Sequence, residues 1–216
     1  LPNNIIYGIL DDQSGNYWLS SNRGLIRYEP QNKRAQLYTI EDGLQSNQFN
    51  FRSSLQASDG KFYFGGVNGF NCFYPFKLSI CILLASVSLV FANIYKKYDV
   101  RSGLSGNCVR SILQDSIGYM WFATQDGLNR FNGIEFTNYG HSSENGGNSY
   151  MNIVTICRHQ DNNQIWVAST EKLYLFDSRE EKFSVFDTQT EDGVTVNSVF
   201  GMAYDNDRQL WIGTTN

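Results

Sequence analysis

Two histidines, His141 and His159, and four cysteines, Cys72, Cys81, Cys108 and Cys157, are the side chains of this 216-residue chain best suited to phosphoryl transfer, metal binding or redox work. Their surroundings do not suit them to it. A phosphoacceptor histidine needs a dimerisation helix and a Gly-rich nucleotide site, whereas both histidines stand in turn-rich or strand-like sequence, and neither G-x-x-x-x-G-K-[ST] nor G-x-G-x-x-G occurs. Gly65-Gly66-Val67-Asn68-Gly69 reads as a turn. The cysteines show no C-x-x-C spacing and read as small apolar strand residues. Asp11-Asp12 and Asp205-Asn206-Asp207 lack the spaced oxygens and closing Glu of a calcium loop and read as β-turns. Glu41-Asp42 and Glu191-Asp192 each precede a glycine and read as solvated turns, since general acid–base chemistry needs a partly buried carboxyl. The expectation is a chain without catalytic residues, metal or cofactor.

Binding chemistry is better represented. Asn4, Asn107, Asn152 and Asn197 each stand fourteen residues before a tryptophan, with Phe49 in the matching place before Tyr63. An amide both donates and accepts, so a ring of asparagines on one face could bond sugar hydroxyls; capping a turn is the simpler role for each. Tyr139 and Tyr150 are candidate aromatics for stacking on a sugar ring.

The elements that would position these residues follow from a repeat. Trp121, Trp166 and Trp211 are 45 residues apart, and Tyr63 follows Trp18 by 45. Asp12 to Tyr28 aligns without a gap on Asp115 to Phe131. The second unit keeps Tyr63-Phe64-Gly65-Gly66, Gly69-Phe70 and Phe73, and the fourth keeps Trp166-Val167-Ala168-Ser169, Leu173 and Phe176. Within a unit, apolar residues come in four short bursts between Asp, Asn, Gly and Ser, which predicts four antiparallel strands and tight turns. A period of roughly 40 to 50 residues with one aromatic motif per unit predicts β-propeller blades. The fold class is therefore all-β: four full repeats and a partial fifth. Small residues after each anchor would let sheets approach face to face while the anchor fills the space between them.

The formal net charge of −4, with no Lys or Arg run longer than a pair, argues against nucleic acid as a partner. Residues 76–92 interrupt the pattern: Lys77, an apolar core from Leu78 to Phe91, and Val90-Phe91-Ala92, the form of a secretory signal cleaved before Asn93. A hydrophobic helix is expected at about 76–95, marginal in length for a membrane span if uncleaved. The insertion accounts for the 58 residues between Tyr63 and Trp121.

The repeat Asp-x-x-Gly-x-x-Trp-(Ile/Leu/Phe)-(Gly/Ser/Ala)-(Thr/Ser)-x-x-Gly-Leu-x-Arg-(Tyr/Phe) resembles the two-component regulator propeller repeat, which builds the periplasmic sensor regions of hybrid two-component histidine kinases best known in Bacteroidetes. Tyr98-Asp99-Val100-Arg101-Ser102-Gly103-Leu104-Ser105-Gly106-Asn107 is similar to the opening of such an array and Asp42 to Pro75 to its closing blade. The resemblance implies residues 1–75 as two closing blades, 76–92 as the signal-like or membrane segment, and 93–216 as two opening blades and part of a third. It also implies oligosaccharide sensing, a periplasmic or membrane-associated location, and contacts with further blades or a second sensor protomer. A protein-interaction propeller without a small-molecule site and a propeller lyase or glycosidase are the other readings.

Overall fold

Each repeat folds into an antiparallel sheet whose strands follow one another in chain order. The computed structural model describes residues 2–75, 95–142, 149–161, 163–186 and 199–214, with the backbone alone at 141–142 and 149–150. Sheet I is β1 (Ile6–Asp11), β2 (Tyr17–Ser21), β3 (Leu25–Glu29) and β4 (Arg34–Tyr38). Sheet II is β5 (Phe49–Gln56), β6 (Phe62–Gly66), β7 (Gly69–Phe73) and β8 (Lys96–Tyr98). Sheet III is β9 (Val109–Gln114), β10 (Met120–Thr124), β11 (Gly127–Phe131) and β12 (Phe136–Tyr139). A short ladder of β13 (His141–Ser142) and β14 (Ser149–Tyr150) precedes sheet IV, which is β15 (Ile153–Arg158), β16 (Gln164–Ser169), β17 (Leu173–Asp177) and β18 (Lys182–Phe186). The partial fifth repeat is β19 (Gly201–Tyr204) and β20 (Leu210–Gly213). The helix expected at about 76–95 lies, but for Tyr95, outside the described residues, and β8 on the far side of this segment completes sheet II by pairing with β7.

The sheets are the expected blades. Their first strands pack side by side in the order β1, β5, β9, β15, β19, so sheets II, III and IV are each covered on both faces. Coverage on both faces explains why the second strands read as apolar bursts and not as alternation. Successive residues point to opposite faces, so each of the first four anchors packs on the sheet that follows, and from the second repeat on the residue after the anchor packs on the sheet that precedes. Trp18 lies 4.8 Å from Phe73, Tyr63 6.1 Å from Phe122, and Trp121 5.6 Å from Phe176, ring centre to ring centre. Trp166 donates its indole N–H to Tyr204 Oη at 2.7 Å. Small residues beside the anchors allow this approach: a Cβ on Gly65 would meet Val109 Cγ1 of the next sheet at 2.7 Å.

Sheets I and II are linked by Thr39, which caps the 3-10 turn Ile40–Asp42, and by Gly43 in the left-handed region at φ 95°. The link from II to III repeats it with Asp99, Val100–Ser102 and Gly103 at φ 102°. The unspecified position of Gly-Leu-x-Arg secures both turns. Asn71 Oδ1 accepts from Gln45 N at 2.7 Å, and Asn129 Oδ1 accepts from Ser105 N at 2.7 Å. Both asparagines are fully buried and their Nδ2 groups donate to backbone carbonyls, so no polar atom is stranded.

Candidate ligand site at the channel mouth

Every full inner strand starts with a bulge. Ile6 pairs with Ser21 but Gly8 with Ser20, Val109 with Thr124 but Ser111 with Ala123, and Ile153 with Ser169 but Thr155 with Ala168. Tyr7, Arg110 and Val154 are thereby expelled from the ladder. In β5 the interruption runs from Phe49, opposite Gly66, to Ser54, opposite Phe64, and inserts Asn50, Phe51 and Arg52. A bulge bends its strand and re-aims the extra side chain out of the two-residue alternation. Asn50, Phe51, Arg52, Arg110 and Val154 turn into one cleft beside the inner strands, whereas Tyr7 packs against the core between sheets I and II.

A cleft of about 610 Å³ results, lined by Phe51, Arg52, Cys108, Arg110, Thr155 and Phe200 among others, from the second to the fifth repeat. Arg52 Nη1 donates to Phe200 O at 3.2 Å, tying the second repeat to the fifth. Gly201 makes room for it, because a Cβ there would stand 2.1 Å from Nη1. Arg52 has φ 60°; of the non-glycine residues in the left-handed region among the described residues, it is the one inside a strand. Such a backbone persists only where its surroundings over-determine it. Arg110 Nη1 donates to Asn152 Oδ1 at 2.6 Å and to Ile153 O at 3.3 Å. Asn50 Nδ2 donates to Val109 O at 2.7 Å. Neither guanidinium has an ion-pair partner among the described residues. Phe51 and Phe200 present exposed rings, 63% and 53% accessible.

The asparagines singled out by spacing separate in the structure. Asn107 Oδ1 accepts from Val100 N at 3.0 Å, bracing the inter-sheet turn. Its counterpart in the preceding repeat is Asn47, whose Oδ1 accepts from Ile40 N at 2.9 Å. Phe49 is the partner of Val109 instead, since both open their strands opposite the third residue after the anchor. The long β5 bulge displaces the count by two residues. Asn152 stands where Cys108 does, because Ile153 pairs with Ser169 as Val109 pairs with Thr124; its amide therefore meets Arg110 and not the turn. Asn4 is exposed, and Asn197 lies outside the described residues.

Tyr139 does not offer a free ring. It stacks on Trp121 at 5.8 Å and its hydroxyl donates to Glu181 Oε1 at 2.8 Å. Burial and that carboxylate push its phenol up to about 12. The side chain of Tyr150 is outside the described residues. What spacing could not show is the bulge, which selects Phe51, Arg52 and Arg110; an insertion in one repeat relative to its neighbours is the signal that would have found it.

His159 Nδ1 accepts from Asp161 N at 3.0 Å, closing a local turn beside Trp166. Burial raises the Cys72 thiol to about 11 and also raises that of Cys157, the opposite of an activated nucleophile. Among the described residues no three His, Cys, Asp or Glu side chains converge.

Residues 1–23, 103–126 and 193–216 match the family described as two component regulator propeller. These matches fall in the first, third and fifth repeats. A stretch of 77 residues is 42% identical to histidine kinase P4 of Formosa agariphila, covering 36% of this chain and 6% of that protein. The extracellular domain described for a hybrid two component system of B. thetaiotaomicron superposes with a TM-score of 0.72 at 18% identity, over 98% of this chain and 27% of that one. PorZ, a surface component of the type-IX secretion system of Porphyromonas gingivalis, gives 0.65 at 16% identity over 97% and 31% of the two chains. Virginiamycin B lyase from Staphylococcus aureus gives 0.61 at 16% identity over 98% and 64%. The chain thus spans a small part of its curated relative and about a quarter of the hybrid-system domain, and the structural likenesses establish the propeller fold alone.

Proposed function

We propose that this chain is part of the extracytoplasmic ligand-sensing propeller of a hybrid two-component sensor and that the channel-mouth cleft binds an oligosaccharide. The observation that carries the reading is the pair of exposed rings, Phe51 and Phe200, set beside two guanidiniums in one cleft of about 610 Å³. Apolar faces with a few convergent polar groups are what a pocket for a small ligand requires. Strained and bulged backbone supplies three of its side chains, Phe51, Arg52 and Arg110.

The regulator repeats, the identity to a histidine kinase and the signal-like residues 76–92 support an exported sensor. Among the described residues no helix is long and apolar enough to cross a membrane. A ligand bridging the inner strands of several sheets would favour one arrangement of those sheets over others, the differential affinity that signalling needs. The propeller fold also serves a lyase, but among the described residues no carboxylate or imidazole lines this cleft, where general acid–base chemistry would need one.

Calorimetric titration of neutral and acidic oligosaccharides tests the proposal. Saturable binding that weakens about tenfold in Phe51→Ala or Phe200→Ala is expected, because stacking on an open ring contributes on the order of 1 kcal/mol or more. Absence of binding across the panel, or binding indifferent to both substitutions, would reject the cleft as the site.

A further inference from the structure

We infer that the ligand of the channel-mouth cleft is anionic, an oligosaccharide carrying a carboxylate or sulfate that pairs with Arg52 and Arg110. The inference rests on the oligosaccharide reading and adds its substrate class. The chain as a whole is acidic, with a formal net charge of −4. The cleft departs from that balance: among the described residues its lining holds two arginines and no Asp or Glu. Each guanidinium is steadied through Nη1 by neutral acceptors, Phe200 O for Arg52, and Asn152 Oδ1 with Ile153 O for Arg110. These bonds fix orientation without cancelling charge. The remaining N–H donors of a guanidinium form a planar fork that matches carboxylate and sulfate oxygens, which makes arginine selective for such groups over a neutral hydroxyl.

The local backbone is shaped around this arrangement. Arg52 is held in the left-handed region, and Gly201 leaves the volume its guanidinium occupies. The Arg52 guanidinium lies over the Phe51 ring, 5.4 Å from its centre, and the residue is 63% exposed, which leaves the opposite ring face to stack on the sugar that bears the anion. A neutral sugar would use the rings and leave both cations unpaired.

The test is calorimetry on the full 216-residue chain with three probes of one length: a galacturonate tetrasaccharide, a sulfated galactose tetrasaccharide and a neutral galactose tetrasaccharide, with inorganic sulfate as a fourth. One of the two acidic sugars is expected to bind at least about tenfold more tightly than the neutral one, and Arg52→Gln or Arg110→Gln to remove about 10- to 100-fold of that affinity, the range for a charge-assisted bond. Rising salt should weaken the acidic sugar and leave the neutral one unchanged. Asn152→Ala separates charge from packing, since it frees Arg110 without removing it; a loss there as large as in Arg110→Gln overturns the charge assignment. Arg158→Gln, at the other end of the inner strands, should change nothing. Equal affinity for acidic and neutral sugars overturns the anionic inference and leaves the oligosaccharide reading standing. Inorganic sulfate binding as tightly as the sulfated sugar overturns it too. No binding of any tetrasaccharide overturns both.

Discussion

Trp121 donates its indole N–H to Asp115 Oδ2 at 2.8 Å, while Asp115 Oδ1 accepts the backbone N–H groups of Ile117, Gly118 and Tyr119 at 3.0, 2.8 and 2.9 Å. One carboxylate ties the β9–β10 turn to the anchor, which is the physical content of Asp-x-x-Gly-x-x-Trp. Trp211 repeats the bond to Asp205 at 2.7 Å. In the first repeat Asp12 turns to Asn16 instead, and Trp18 Nε1 is buried with no hydrogen-bond partner among the described residues. In the fourth, Gln160 replaces the acid and Trp166 finds Tyr204.

Asp115→Ala is expected to cost about 2 to 3 kcal/mol, because it strands a buried indole N–H as well as three turn amides. Asp12→Ala should cost about 1 kcal/mol, since it removes turn bonds only. Trp121→Ala, at a fully buried ring, should cost about 3 to 5 kcal/mol. Urea unfolding of the three variants checks the order, and equal losses for the two aspartates would contradict it.

The asparagines offer a second ranking. Asn129→Ala removes three bonds inside the protein and should cost about 2 to 3 kcal/mol, against about 1 kcal/mol for Asn107→Ala, which loses one bond at a half-exposed turn. Hydrogen exchange reads it directly: the Ser105 amide should lose protection in the first variant and the Val100 amide in the second.

Tyr139 links stability to alkaline pH. Its folded value of about 12 lies above the ordinary phenol value of about 10, so its contribution is complete below pH 10 and is lost as pH rises toward 12. Burial also raises the Tyr63, Tyr98 and Tyr174 phenols, so spectrophotometric titration should show several late-titrating phenols, one fewer in Tyr139→Phe, and the variant's stability should fall less between pH 10 and 12 than the parent's.

At position 52 backbone and side chain can be separated. Arg52→Val places a β-branched residue at φ 60° and should cost about 2 kcal/mol, while Arg52→Gly accepts that backbone and should stay within about 1 kcal/mol of the parent. Both should lose the affinity for an acidic sugar. Thermal melts beside calorimetry decide it, and a glycine variant as unstable as the valine one would show that the side chain carries the stability.

The propeller was legible in the sequence because its causes are local. A strand, a tight turn and an anchor between sheets are each set by a few adjacent residues, and repetition multiplies a weak pattern into a firm one; Trp18, Tyr63, Trp121, Trp166 and Trp211 all hold the same place in their second strands. Trp211 shows the limit: it is 64% exposed, where Trp18 and Trp121 are sealed by the sheets that follow them.

The site was not legible because counting assumes a constant register. A spacing of fourteen put Phe49, Asn107 and Asn152 in one class, whereas the ladder puts Asn47 with Asn107 and Asn152 with Cys108. The β5 bulge and the differing lengths of the β5–β6 and β15–β16 hairpins shift the count, and only paired strands reveal the shift. Likewise, nothing near Arg52 in the chain announces Phe200, whose carbonyl it reaches from 148 residues away. Sequence determined the blades, since a sheet's hydrogen bonds and apolar bursts repeat within each unit. Tertiary structure decided which side chains share the cleft, since bulges aim them and the curvature of successive sheets brings the second repeat to the fifth.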